Sequence, residues 1–322
     1  MLRFARSVYV IELAGIALGI AVVASCEAAS WSEMGCDTTA SRSGVEGQMD
    51  LNTITEVARP KGSVESVHWR DGDAWLAGGT WLFSEPQPHL RRLIDLQGLS
   101  WAPLVVSEQG LEVASTCQIA KLVALNAPAD WAAAPLIDQC CRSFLSSFKI
   151  WNTATVGGNI CMSLPAGPMI SLAVALEGIC TIVQRDGGER RVAVEDFVIG
   201  NHKNVLQPGD LLRRIDLPSS ALRKLTSFRR ISLTHLGRSA ALLVGTLSPL
   251  DGVFMLTVSA STERPQRLKF PQIPSADDLR ARLEHQIPAF FDDVHGTPEY
   301  RKHMTFFFAE EIRRELSDNL RV

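Results

Sequence analysis

Two glycine pairs, Gly78-Gly79 in "LAGGTWL" and Gly157-Gly158 in "TATVGGN", lie about 80 residues apart and constrain this chain more than any other feature. Each interrupts an apolar run. A residue without Cβ allows positive φ and lets another group approach the backbone closely. "AGGT" alone is as readily a tight turn as a ligand loop. Bare N–H groups in such a loop also suit an anion. No Gly-Lys-Ser/Thr follows either pair, and neither is part of a G-x-G-x-x-G turn. A nucleotide here would instead be clamped between two separate loops, each offering N–H groups to phosphate oxygens. Thr80, Thr155, Asn159 and Ser163 would add side-chain hydrogen bonds. Valine at Gly79 or Gly158 would then block the ligand while the fold survived.

Composition narrows the alternatives. The 322 residues suffice for two or three domains, and 46% hydrophobic with 21% charged residues is globular. Net charge is −3 with no basic run interleaved with aromatics, which argues against nucleic acid. Seven cysteines (Cys26, Cys36, Cys117, Cys140, Cys141, Cys161, Cys180) include no C-x-x-C pair, so no iron–sulfur or zinc ligand set is expected. The odd count favours reduced thiols and a cytoplasmic protein. Cys140-Cys141 sits in the helix-like "LIDQCCRSFL", where small buried thiols are expected. No paired carboxylates and no Ser-His-Asp set are visible, so no catalytic residue is assigned. His202, His235, His295 and His303 read as solvated or structural, and no metal-ligand spacing occurs.

Residues 1–48 differ in character from the rest. Arg3 and Arg6 precede "VYVIELAGIALGIAVVAS" and Cys26, in the manner of a signal peptide or lipoprotein box. Glu12 inside the apolar run opposes insertion. The expectation is a spurious N-terminal extension, a functional start near Met49, and no membrane; a real signal would mean export or a membrane anchor.

From Met49 onward, strand and turn signals are orderly. "AWLAGG" and "RRLIDL" read as short buried strands around the first loop. "GLEVAST" is a strand, with Thr116 expected to cap the next helix. A helix is expected from Pro168 to Glu177, stopped by Gly178. "CTIVQ", the Asp186–Gly188 turn and "RRVAVEDF" form a hairpin. The register resets at 218–224. "LTSFRRISL", "AALLVGTL" and "GVFMLTVSAS" then make a meander. Ser275 and Asp278 form a capping box. A last helix starts at Thr297-Pro298, with Tyr300, Met304, Phe308, Ile312 and Leu316, plus Phe307, as core.

"LAGGTWL", "WNTATVGGNICMSLPAGPMISLAVAL", "RRVAVEDFVIG" and "LQPGDLLRRIDLP", in this order and spacing, resemble the FAD-binding subunit of the molybdenum hydroxylases, the xanthine dehydrogenase, aldehyde oxidoreductase and carbon monoxide dehydrogenase group. The likeness is strong over about 75–218 and weaker through "SFRRISLTHLGRSAALLVG". It implies an α+β fold: a two-lobed FAD cradle over 49–218 (lobes about 49–101 and 102–218), then a C-terminal domain over 224–322 with a three-stranded antiparallel sheet and helices. It places non-covalent FAD against Ala77, Gly78, Gly79, Thr80, Trp81 and Leu82, and against Thr155, Val156, Gly157, Gly158 and Asn159. Arg229, after Phe228, matches a basic residue that approaches the flavin in the family. Pro168 stands where the family commonly has a ribose-binding Asp, so ribose contacts would be rearranged or weaker.

The resemblance further implies electron transfer from iron–sulfur centres through FAD to an acceptor, with a molybdenum-cofactor large subunit and a 2Fe-2S small subunit as partners. A self-contained flavin oxidoreductase of a related cradle fold, and a scaffold that has lost flavin, are the alternatives.

Overall fold

The computed structural model of the protein describes residues 51–62, 64 and 67–318. The readings on 1–48 and on a start at Met49 fall outside the described residues. Three short runs, β1 (Glu56–Ala58), β2 (Asp73–Leu76) and β3 (Arg92–Asp95), form a parallel sheet ordered β1-β3-β2. All four β3 residues are buried, as a central parallel strand requires. The pairing of Asp73 opposite Arg92 is locked by a buried fork, with Arg92 Nε donating to Oδ1 at 2.8 Å and Nη2 to Oδ2 at 2.5 Å. Those hydrogen bonds hold the Asp73 carboxyl below the ordinary carboxylate range. A depressed folded-state pKa stabilises above the unfolded value and loses that contribution as pH falls through the folded one. Asp73→Asn is therefore expected to lower the denaturation midpoint at pH 7, and to flatten its fall between about pH 5 and pH 2. Parallel acid profiles for the two proteins would contradict this.

A second unit follows. Its elements in chain order are β4 (Leu104–Ser107), β5 (Gly110–Ala114), α1 (Ile119–Val123), α2 (Ala134–Ser143), α3 (Phe148–Trp151), α4 (Val156–Met162) and α5 (Pro168–Ala175). Then come β6 (Ile179–Val183), β7 (Glu189–Ala193), α6 (Val194–Phe197), β8 (Val198–Gly200), β9 (Lys203–Asn204), β10 (Leu211–Pro218) and α7 (Ser219–Leu222). The sheet order is β4-β5-β10-β6-β7, all antiparallel, so β10 returns from far along the chain to its centre. β10 carries a register shift between Leu212 and Arg214.

α5 is buried at all eight positions. A helix whose one polar side chain is Ser171 is stable only when covered all round, and each fully buried Met, Ile or Leu contributes roughly 1.5–3 kcal/mol. It starts with Pro168 at its first position, where the missing N–H costs nothing. Gly167 gives no side-chain cap, and Asn159 Oδ1 accepts the Met169 N–H instead, at 3.1 Å. Glu177 at φ +55 and Gly178 end the run. α1 is capped at Gln118 without a side-chain bond, so Thr116 is not the expected cap. The chain turns there through a bridge between Gln118 and Thr155.

The C-terminal sheet, ordered β11 (Leu225–Ile231), β12 (Ala241–Leu247), β13 (Phe254–Ser259) and β14 (Gln266–Phe270), has four strands, one more than expected. β14 was hidden because Leu268 is its one fully buried residue, set among Arg, Lys and Gln. β12 and β13 are buried throughout, packed between α5 and α9 (Pro298–Asp318). Ser171 and Ser259 share a 2.6 Å hydrogen bond across this seam. α8 (Ala276–Gln286) begins at the expected box, with Ser275 Oγ accepting the Asp278 N–H at 3.1 Å. On α9, Phe308, Ile312 and Leu316 are buried, but Phe307 is 51% exposed. It lies about 100° round the helix from Phe308, off the stripe, and stacks on His303.

Candidate functional site

The two glycine pairs meet. A Cβ on Gly78 would stand 2.1 Å from the Thr153 carbonyl oxygen and 3.2 Å from Ala154 Cα, so the first loop lies against the segment leading into the second. Gly79 has φ +70, and Phe83 N–H to Gly79 O (2.9 Å) closes one helical turn after it. Trp81 is 41% exposed and its ring is 6.4 Å from that of His202, which itself has φ +54. His202 N–H donates to Ser163 O at 3.1 Å. The first loop, α4 and the β8–β9 turn thus share one surface.

The loops contribute differently. None of the described hydrogen bonds uses the N–H of Gly78, Gly79 or Thr80, or the Thr80 hydroxyl. In the second loop the backbone donors are already taken. Val156 N–H goes to Cys117 O (2.8 Å), Gly157 N–H to Ser115 O (3.0 Å), Gly158 N–H to Thr155 Oγ1 (3.0 Å) and Asn159 N–H to Thr155 O (3.0 Å). Thr155 is the N-cap of α4, and its hydroxyl is committed to that cap. The expected offer of N–H groups from the second loop is therefore not met, because its donors serve the fold, whereas those of Gly78, Gly79 and Thr80 take part in none of the described hydrogen bonds. The second offers a bare wall: Gly157 is buried against Ser115, whereas a Cβ on Gly158 would meet only Thr155 Oγ1, at 2.9 Å. Asn159 Oδ1 accepts the Met169 N–H, and none of the described hydrogen bonds uses its Nδ2.

Two residues named from the sequence turn elsewhere. Ser163 is fully buried at the C-terminus of α4 with φ +50, and its hydroxyl donates to the Ile160 carbonyl at 3.2 Å, one of the carbonyls a helix end leaves open. Arg229 shares a β11 face with Ser227 and donates to Glu311 (3.0 Å) and Glu315 (2.6 Å) on α9. Strand alternation sends Phe228 to the opposite face, onto the core of the second unit. Ala77, Leu82 and Val156 stay with the loops, Ala77 packing at the base of the first and Val156 in the core under the second.

Burial raises the thiols of Cys117, Cys141 and Cys161, each to about 12, and holds that of Cys140 well above the ordinary thiol value. All five described cysteines are unbridged. Among the described residues no cluster of three His, Cys, Asp or Glu could hold a metal, and no helix is long and apolar enough to cross a membrane.

The contribution of Ser115, whose carbonyl anchors the second loop, carried no sequence signal, because it acts through its backbone.

A family described as the FAD binding domain in molybdopterin dehydrogenase matches residues 57–220, about half of the chain. Xanthine dehydrogenase 2 of Arabidopsis thaliana is 26% identical over 121 residues, 36% of this chain and 9% of that protein. Caffeine dehydrogenase subunit beta of Pseudomonas sp. (strain CBB1) is 29% identical over 101 residues, 31% of this chain and 34% of that one. The matched part thus spans about a tenth of the plant enzyme's length. Carbon monoxide dehydrogenase from Hydrogenophaga pseudoflava has a chain of similar fold, with TM-score 0.67 at 17% identity, covering 80% of this chain and 96% of that one. Quinoline 2-oxidoreductase from Pseudomonas putida 86 gives 0.65 at 17%, covering 82% and 97%. At these identities the structures establish the α+β fold.

Proposed function

The chain belongs to the family of FAD binding domains found in molybdopterin dehydrogenases, and from that premise we propose that it is the FAD-binding, electron-transferring subunit of a molybdenum hydroxylase complex. The observation that carries this is the meeting of the two glycine loops, with Gly78 seated on the Thr153 carbonyl. The residues present fit a dinucleotide: unused N–H groups and a left-handed glycine on one side, a wall without side chain on the other. In this reading Gly78, Gly79 and Thr80 hold the pyrophosphate through N–H groups, Thr80 Oγ1 and Asn159 Nδ2 add side-chain donors, and Gly158 admits the phosphate closely. Ala77 and Leu82 position the first loop, Trp81 flanks the ligand, and Thr155, Val156 and Gly157 fix the wall.

Bound FAD would supply one- and two-electron exchange, which side chains lack. The chain's part is to bind, orient and shield it. The proposed partners are a molybdenum-cofactor large subunit and a 2Fe-2S small subunit, which would house the metals for which this chain shows no ligand cluster among its described residues. The proposed compartment is the cytoplasm, supported by the unbridged thiols.

Co-purification tests the assignment. The native complex is expected to contain iron, molybdenum and FAD, and the chain alone to turn over no purine or aldehyde. Steady turnover by the isolated chain would support a self-contained flavin oxidoreductase. The flavin is expected to be non-covalent: acid precipitation should release all of it into the supernatant. Flavin remaining with the pellet would contradict that.

A further inference from the structure

Away from the glycine loops, the C-terminal sheet and the second unit leave a cleft of about 410 Å³ between them. That volume falls within the range of small-molecule sites, about 300–1,000 Å³. One side is formed by β13 and β14. Leu268 of β14 shares a core with α8 and α9, so strand alternation turns Arg267 and Lys269 to the opposite face, toward the second unit. The other side comes from the C-terminal end of α5, the start of β6, the junction of β7 and α6, and the end of β10. The cleft and the second glycine loop lie at opposite ends of α5. Met169 at its start is held by Asn159, and Val174 near its end lines the cleft.

The charges around the cleft do not cancel. Glu177 accepts from Lys224 Nζ at 2.7 Å, and Glu195 accepts from Arg267 Nη2. Two carboxylates and two cations are thereby matched. Lys269 is exposed and has no ion-pair partner among the described residues. In the described hydrogen bonds the Arg267 side chain donates through Nη2 alone, so its Nε and Nη1 are unused. Glu195 is a weak partner for it: burial, with Asp196 and Glu177 nearby, raises its pKa against the pull of Arg267. Thr246 lies opposite Met255 on the same face, and its buried hydroxyl has no described partner. The rest of the lining is largely apolar, with Val174, Ile179, Val194, Pro218 and Met255.

We propose that this cleft binds a small organic monoanion, a carboxylate carried on an apolar body. The carboxylate meets Lys269 and the unused nitrogens of Arg267, since a guanidinium matches two carboxylate oxygens with parallel hydrogen bonds. The apolar body packs on Val174, Ile179, Pro218 and Met255 and is removed from water. The bound anion balances the one cation that the fold leaves over. A neutral analogue forgoes the charge-assisted hydrogen bonds, and a cation is repelled by Lys269. The site goes beyond the FAD reading and does not depend on it, because none of its residues belongs to either glycine loop.

Isothermal titration calorimetry of the purified full chain tests this with benzoate and hexanoate. Benzamide serves as the neutral analogue, benzylamine as the cation, and acetate as the anion without a body. Benzoate or hexanoate is expected to bind about tenfold or more tightly than those three, as for a charge-assisted hydrogen bond gained. Lys269→Gln, at an exposed position, is expected to weaken that binding about tenfold. Ala193→Trp, which fills the cleft from its β7 side, is expected to abolish it. Thermal unfolding checks that both variants fold, and FAD uptake is expected to be unchanged in both. A folded wild-type chain that binds neither carboxylate would overturn the proposal. So would tighter binding of benzylamine than of benzoate, or benzoate binding unaffected in both variants. Binding shown by the isolated chain but lost in the native complex would assign the cleft to a partner subunit and overturn it too. A wild-type chain that binds benzoate but no FAD would support the cleft and defeat only the FAD reading.

Discussion

Gly157→Val is expected to destroy the fold, while Gly158→Val, one residue further on, keeps the fold and loses the flavin. A Cβ at Gly157 would lie 2.3 Å from Ser115 Cβ, 2.6 Å from its Cα and 2.7 Å from its carbonyl oxygen. Two of those atoms belong to the backbone and cannot swing aside. The first turn of α4 cannot retreat either, because Gly157 N–H and Val156 N–H are bonded to Ser115 and Cys117. Overpacking relieved by side-chain movement costs about 1–3 kcal/mol. Here relief requires breaking these hydrogen bonds as well, against a total stability of about 5–15 kcal/mol. At Gly158 the same Cβ meets a single atom, Thr155 Oγ1. That position is helical and partly exposed, so the cost to the fold is expected to be confined to the Thr155 cap, about 0.5–2 kcal/mol. Its cost falls on the ligand, whose phosphate would meet a branched side chain. Circular dichroism and flavin content separate the two outcomes. A folded, flavin-bearing Gly157→Val, or a Gly158→Val that retains FAD fully, would contradict the division of labour within this loop. Gly79→Val does not serve as a clean probe, because its φ of +70 and a Phe83 ring carbon 2.4 Å away would strain the backbone whether or not ligand binds.

The second large effect is expected at Arg301, which is 1% exposed and ties together three segments. It donates to Gly296 O (2.9 Å), Ala240 O (2.7 Å) and Ala260 O (2.5 Å), and to the Asp293 carboxylate. Those carbonyls close the ends of β12 and β13 and the turn before α9, and Ala260 holds φ +64 there. Arg301→Ala leaves buried acceptors unsatisfied and a carboxylate without its partner. Such losses cost about 3–5 kcal/mol, which for a chain of this size lowers the unfolding midpoint by about 10 °C. Arg301→Lys retains the charge but not the fork, and is expected to fall between. A midpoint for Arg301→Ala within about 1 °C of wild type would show that the C-terminal domain does not depend on this staple.

What the sequence displayed was local. Pro168, Gly178 and Ser275 mark helix ends through backbone chemistry acting within a few residues, and the observed ends follow them. The glycine pairs were visible because glycine is constrained by whatever approaches it, but the identity of that neighbour was not. Gly78 proves to face Thr153, and Gly157 to face Ser115, contacts set by sheet pairing far along the chain. The role expected of Ser163 rested on residue type, and that of Arg229 on the family resemblance. A helix-end φ and two glutamates one turn apart on α9 redirect their side chains, and neither was signalled locally. β14 and the exposure of Phe307 were obscured for a related reason: each depends on which face of a partner element is already covered.

The central claim is that the two loops together bind one FAD. Equilibrium dialysis of the purified chain against FAD, followed by flavin absorbance, tests it most directly. Saturation at one FAD per chain in the wild type, with binding abolished in a folded Gly158→Val, is the predicted result. A folded wild-type chain that takes up no FAD at any concentration would contradict the account.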